Sequence, residues 1–328
     1  MPYAHLAEWE WGWKTPLLLR LSGPDGEAPP AVRDFLSTPL DRLALADAET
    51  TLAARIAELN TYRIGVYFER VQEALFRAHP DTTSLRTSLI VPGRTEIDLL
   101  HRIRALPGTA IHWEVAVKYY LGLDEGGATD PDRYVGPSLK DTLGVKMRTI
   151  FGRQLPILGD ESVRANFGGP FGIAPEETVL RFPKVHGALY APFRRRNEVR
   201  RPEAVAPDSA RGAWCTYGEL PEFLASVAGE RGKDAHVRWM RDRYDWLRET
   251  VRLERPEEET PLKDYLKSSL AARWESHFTG SGGSLADPLH ATIHGDRREL
   301  RFFVVGDGWR EAAVRKLETL RAESRIKA

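Results

Sequence analysis

Glu96 and Asp98 in TEIDLL, and His112, Glu114 and Lys118 in IHWEVAVKYYL, are the residues whose types and spacing could do chemistry. Alternate side chains of a β-strand point to opposite faces, so Glu96 shares a face with Asp98, and His112 and Glu114 share one with Ala116, Lys118 and Tyr120. The other face of the second run, Ile111, Trp113, Val115, Val117 and Tyr119, is entirely apolar. Charge on so apolar a strand is costly unless it is paired, hydrogen-bonded or used. If the two strands pair with their charged faces together, two or three carboxylates and a lysine meet on one sheet surface. A hard cation best relieves such repulsion, and Mg²⁺ is typically held by one or two carboxylates, waters and phosphate oxygens. The cation then lowers the pKa of a water and stabilises charge developing on phosphorus. Glu69 in VYFERV is the candidate helix carboxylate, with Glu73 one turn further along the same side.

The elements that must position these groups can be read from periodicity. From Asp47 the chain reads DAETTLAARIAELN, then RIGVYFERVQEALFRA, in which Ile64, Tyr67, Phe68, Val71, Leu75 and Phe76 fall at helical spacing up to His79-Pro80. SLIVPG, TEIDLLHRI and GTAIHWEVAVKYYL follow as β-type runs broken at Pro92-Gly93 and Pro107-Gly108, which predicts an antiparallel meander. Ser138 is the expected N-cap of a next helix carrying Leu139, Leu143, Met147 and Ile150 on one face and stopped by Pro156. FPKVHGALYAPF reads as a strand, and DAHVRWMRDRYDWLRETVRLE as an amphipathic helix with Val237, Met240, Tyr244, Leu247 and Val251 inward. PLHATIHGDRRELRFFVV reads as strand, turn at Gly295-Asp296 and strand, before a charged terminal helix. Trp9, Trp11 and Trp13, spaced by two, fit a strand, an aromatic lid or plain core packing.

Composition bounds the function classes. The 328 residues carry 47 basic and 47 acidic side chains, so no overall field draws the chain to nucleic acid or membrane, and any such attraction is local. One cysteine, Cys215, excludes an internal disulfide framework and a Cys-rich metal site, and fits a cytoplasmic setting. No run approaches the ~20 apolar residues of a membrane span. Arg194, Arg195, Arg196, Arg200 and Arg201 form the densest basic patch, a candidate nucleic-acid contact with Tyr190 and Phe193 nearby, or a solvated loop diluted by Glu198 and Glu203.

The order helix-Glu, strand-Asp, strand-Glu plus Lys resembles the PD-(D/E)XK nuclease-like superfamily. GVYFERV, TEIDLL, HWEVAVKYYL, YVGPSLKDTLGVKM and RQLPI resemble the bacterial domain-of-unknown-function family DUF1853, with VHGALYAPF, ARGAW and RFFVVGDGW as looser matches. The resemblance implies an α/β fold with a restriction-endonuclease-like core of helix, three-stranded meander, helix and strand over residues 41–185. A Trp-rich segment at 1–40 and a mixed region at 186–328 would flank it. It further implies Glu69, Asp98, Glu114 and Lys118 as catalytic residues, Asp98 and Glu114 as ligands of Mg²⁺ or Mn²⁺, and nucleic acid as substrate. The lysine departs from the superfamily pattern, which places it two residues after the second acid, at Ala116 here; Lys118 keeps the face, with its Cα about 13 Å from that of Glu114. Lys146 and Gln154, on the helix after the meander, are the alternative sources of polar groups.

Each reading has a plainer rival. Asp98, Glu114 and Lys118 could form a buried salt-bridge network in a non-catalytic binding or scaffold protein that keeps the fold. Glu96 could be a solvated edge charge, His112 a hydrogen-bonded core residue, and Cys215 a packed small side chain. Gly168-Gly169 and Gly282-Gly283 lack a strand-to-helix context and read as turns.

Overall fold

The structure is a computed structural model and describes residues 11–57, 63–123, 129–196, 201–231, 234–240, 243–247, 259–279, 287–295 and 299–326. The fold class is mixed α/β, and the chain divides into two compact units. The first comprises residues 1–118, 146–187 and 204–209; the second comprises 119–145, 188–203 and 210–328.

In the first unit, helices α1 (Pro30–Ser37), α2 (Arg42–Ala57) and α3 (Ile64–Ala78) precede strands β1 (Thr82–Val91), β2 (Thr95–Ile103) and β3 (Thr109–Gly122), the last of which ends in the second unit. Helix α3 forms as its periodicity predicts: Tyr67, Phe68, Val71, Leu75 and Phe76 are buried, and Phe76 packs edge-on against Trp113 of β3 at 5.5 Å. It stops at His79, in extended conformation before Pro80, because a residue preceding proline is pushed out of the helical region. β1, β2 and β3 form the predicted antiparallel meander, with Gly93 and Gly108 taking positive φ at its two turns. The β2–β3 register pairs Leu99 with Trp113 and Leu100 with His112.

Helix α4 (Leu143–Thr149) passes from the second unit into the first and continues into a π turn at Ile150–Gln154 and a 3-10 turn at Leu155–Gly159, so Pro156 lies inside the 3-10 turn. The helix starts later than the Ser138 cap predicts. Leu139 sits at φ 58°, in the left-handed region a helix cannot use, and Thr142 supplies the cap by accepting the Val145 N–H on Oγ1 at 3.1 Å. Helix α5 (Glu161–Phe167) follows, capped by Asp160. Strand β4 (Thr178–Pro192) lies beside β3. At Gly187, φ is +130° and a Cβ would fall 1.7 Å from the Lys118 carbonyl oxygen, so only glycine lets the two backbones approach there. Trp11 is buried against Phe68 and the half-buried Trp13 packs on Phe35 and Phe76, as the packing reading of those tryptophans has it; Trp9 lies outside the described residues.

The second unit holds β5 (Ala210–Thr216), α6 (Leu220–Arg231), β6 (His236–Trp239), β7 (Glu259–Pro261), α7 (Ser269–Thr279), β8 (Leu289–His294), β9 (Leu300–Val305) and α8 (Trp309–Ile326). Its strands run β7-β6-β8-β9-β5-β4, antiparallel up to β9 and parallel from β9 to β4. Among the described residues of DAHVRWMRDRYDWLRETVRLE the expected helix is not found. His236–Trp239 is a strand and Arg243–Leu247 a 3-10 turn, while Val251 lies outside the described residues. HVRW pairs with β7 on one side and β8 on the other, with Val237 fully buried, and that two-sided ladder outweighs a helical spacing made of scattered apolar residues. The β8–β9 pair is as predicted; of its expected turn, Gly295 is described and Asp296 is not.

Candidate active site

The β2–β3 ladder is registered as far as Leu99 opposite Trp113, and one step further the same register sets Asp98 opposite Glu114. There a side chain takes over from the backbone: Asp98 Oδ2 accepts the Val115 N–H at 2.7 Å. The two carboxyls therefore face each other on one side of the sheet, with Glu114 buried at 1% exposure and Asp98 half-buried. His112 Nε2 lies 2.8 Å from Glu114 Oε1. The other oxygen, Oε2, is buried and has no hydrogen-bond donor.

Three more side chains complete the cluster within the same unit: Glu69 from α3, Lys146 from α4 and Glu96 from β2, all felt electrostatically by the central acids. Burial, then the neighbouring Asp98 and Glu96 charges, push the Glu69 carboxyl up to about 7. Burial and the facing Glu114 charge raise Asp98 well above the usual carboxylate range, against the pull of the Val115 N–H and Lys146. Glu114 is raised too, chiefly by burial, with Lys146 the main opposing charge. The Lys146 ammonium is held below its ordinary value by burial and by Lys118, with Glu114, Asp98 and Glu69 acting to keep it charged. Lys146 Nζ donates to Gln154 Oε1 at 3.4 Å. Eight residues of plain α-helix would leave Gln154 about 80° round from Lys146; the wider π turn takes up that offset.

The structure thus brings together Glu69, Asp98 and Glu114, and the lysine set among all three is Lys146. Lys118, half-buried and further along β3, bears on Lys146. Glu96 is exposed at the rim, and Glu73, on the same helix as Glu69, is taken by Arg70 at 3.0 Å and Arg77 at 3.1 Å. His112 is a buried, neutral histidine, lowered to about 3 by burial and then Arg181. A hard cation fits this donor set, because an undonated buried oxygen beside a second raised carboxyl is a site short of positive charge.

The basic patch lies in the second unit, where Arg194 pairs with Glu219 and Glu222, and Arg196 with Glu230. Arg195 is exposed, Arg201 half-buried, and Arg200 lies outside the described residues. Cys215 is buried, its thiol pushed up by burial.

Sequence reasoning passed over a second polar feature of the first unit. A cavity of about 560 Å³ is lined by Trp13, Leu17, Leu36, Lys184 and His186 among others. Lys184 is 2% exposed, lies 2.9 Å from His186 Nε2 and over the rings of Trp13 and Phe76, and burial alone lowers its ammonium to about 7. The signal was present in FPKVHGAL, where Lys184 and His186 share the parity of an otherwise apolar strand.

A family model described as Domain of unknown function (DUF1853) matches residues 8–305. No curated protein and no solved structure gives a significant match.

Proposed function

The chain belongs to the DUF1853 family, and from the acidic cluster of its first unit we propose a nuclease dependent on a divalent cation, hydrolysing phosphodiester bonds in DNA or RNA on a restriction-endonuclease-like core. The observation that carries the reading is the buried, undonated Glu114 Oε2 facing the raised Asp98 carboxyl, with Glu69 and Lys146 around them. Asp98 and Glu114 would hold Mg²⁺ or Mn²⁺, which when bound supplies Lewis acidity and positive charge at the phosphate oxygens. Hydrolysis joins a water oxygen to phosphorus, breaks the phosphorus–oxygen bond to the departing strand and returns a proton to that oxygen. Glu69, at about 7, is poised to take the proton of the attacking water near neutral pH. Lys146, anchored by Gln154, brings the ammonium that Ala116 does not, and orients that water. Lys118 stands behind it as a second positive charge on the approach of the phosphate.

A second reading, a binding or scaffold module that keeps the same arrangement without turnover, draws support from the depth of Glu114 and its bond to His112. The test is cleavage of single-stranded, double-stranded and structured DNA and RNA by the full chain with Mg²⁺ or Mn²⁺, alongside Mn²⁺ titration calorimetry. The nuclease reading expects cleavage that Asp98→Ala lowers by at least about a hundredfold. Mn²⁺ binding without cleavage on any substrate leaves the second reading, and absence of both overturns the metal site.

A further inference from the structure

His236, Glu259 and His294 lie in the second unit, on three strands that are adjacent in its sheet. The register makes them neighbours. His294 of β8 stands directly opposite His236 of β6, and Glu259 of β7 stands opposite Arg238, two residues on and on the same face of β6 as His236. The two imidazoles stack at 5.8 Å between centroids with 16° between their planes. One donor atom from each of the three residues lies within 4.8 Å of the others, and among the described residues no other group of three His, Cys, Asp or Glu meets that criterion.

The groups around this trio hold it as metal ligands are held. His236 Nδ1 lies 2.9 Å from the Asp234 carbonyl oxygen, so its N–H donates there and the Nε2 lone pair is left outward. Arg238 donates to Glu259 Oε2, keeping the carboxylate ionised and turned so that Oε1 meets His294 Nε2 at 2.8 Å. His294 Nδ1 is buried without a partner, so this imidazole is satisfied on one side only. All three residues are half-buried, open enough for an ion to enter.

We propose that His236, Glu259 and His294 form a zinc site, with two imidazoles and one carboxylate as protein ligands and solvent in the fourth position. Tetrahedral Zn²⁺ with bonds of about 2.0–2.1 Å needs donors about 3.3 Å apart, within reach of small side-chain rotations from the present spacing. Two nitrogens and one oxygen suit zinc, whereas Mg²⁺ prefers oxygen throughout. The ion would tie the three-residue strand β7 to β6 and β8. This site is independent of the carboxylate cluster of the first unit and does not rest on the nuclease reading.

The test uses the full-length protein freed of metal. Calorimetric titration with Zn²⁺ is expected to show a tight site whose affinity falls at least about a hundredfold in His236→Gln and in His294→Gln and is unchanged in Asp98→Ala, which alters only binding at the carboxylate cluster. Circular dichroism checks that the variants fold. Should they not, Co²⁺ titration of the wild-type chain decides, since a tetrahedral site with imidazole ligands gives intense visible absorption and an octahedral oxygen site gives weak absorption. Zinc binding equally tight in the folded variants, no zinc binding by the wild-type chain, or only the weak Co²⁺ spectrum would overturn the proposal.

Discussion

Glu177 and Glu114 are both buried glutamates of the first unit, and they are treated in opposite ways. Glu177 is gripped by Arg102, with Nε at 2.5 Å from Oε1 and Nη2 at 2.7 Å from Oε2, and also accepts the Ala174 N–H. The Arg102 hydrogen bonds hold its carboxyl below the ordinary value despite burial. Glu114 has a neutral histidine on one oxygen, a hydrogen bond shared with the Asp98 carboxyl and Glu69 and Glu96 as further acidic neighbours, and it is raised. A satisfied carboxylate stabilises a fold, while an unsatisfied one costs it stability. Glu73, clamped by Arg70 and Arg77, belongs with Glu177. Glu69, one turn away on the same helix, belongs with Glu114.

The sharpest way to break this contrast is at the lysines. Lys146→Ala is expected to lower metal-dependent cleavage by about 10²–10³, and Lys118→Ala by less than about tenfold, because Lys146 is the cation set among the three acids. Rates measured at saturating Mn²⁺ check this, and the reverse order would return the role to β3.

Stability separates the two glutamates next. Glu177→Gln leaves the half-buried Arg102 without its counter-charge and is expected to cost about 1–2 kcal/mol in denaturant unfolding. Glu114→Gln, at a position already driven towards its neutral acid, is expected to change stability by less than about 1 kcal/mol at neutral pH while removing Mn²⁺ binding. Equal losses would erase the distinction.

An effect no larger is expected at Lys184, a buried charge of the opposite sign. A lysine at about 7 in the folded chain and near 10.5 unfolded gives stability that is fully present above about pH 10.5 and is lost as pH falls towards 7. Lys184→Met should flatten that dependence between pH 7 and 10 and raise stability at neutral pH by about 1–2 kcal/mol, read from urea midpoints at several pH values.

Parity put Asp98 and Glu114 on the charged faces of their strands and left their meeting to the pairing, which the register of one hairpin supplies. The helical spacing of α3 likewise placed Glu69 on its element. That Lys146 lies among the three acids depends on where α4 docks after a long connection, which no local pattern encodes. HVRW has four residues, too few to separate a strand from one helical turn, and only its partners on β7 and β8 decide. The histidine and glutamate trio was hidden for the same reason, since its members are drawn from three strands spread over 59 positions of sequence, from His236 to His294.

The turn at Ile150–Gln154 can be understood as a helix carrying one residue more than its regular path accommodates. Such a helix gives up regular hydrogen bonding over those residues, and in return the amide of Gln154 swings back to meet Lys146. Deleting one residue there would restore the regular helix and turn Gln154 away from Lys146, so the surplus residue works as a spacer for a side chain two turns away.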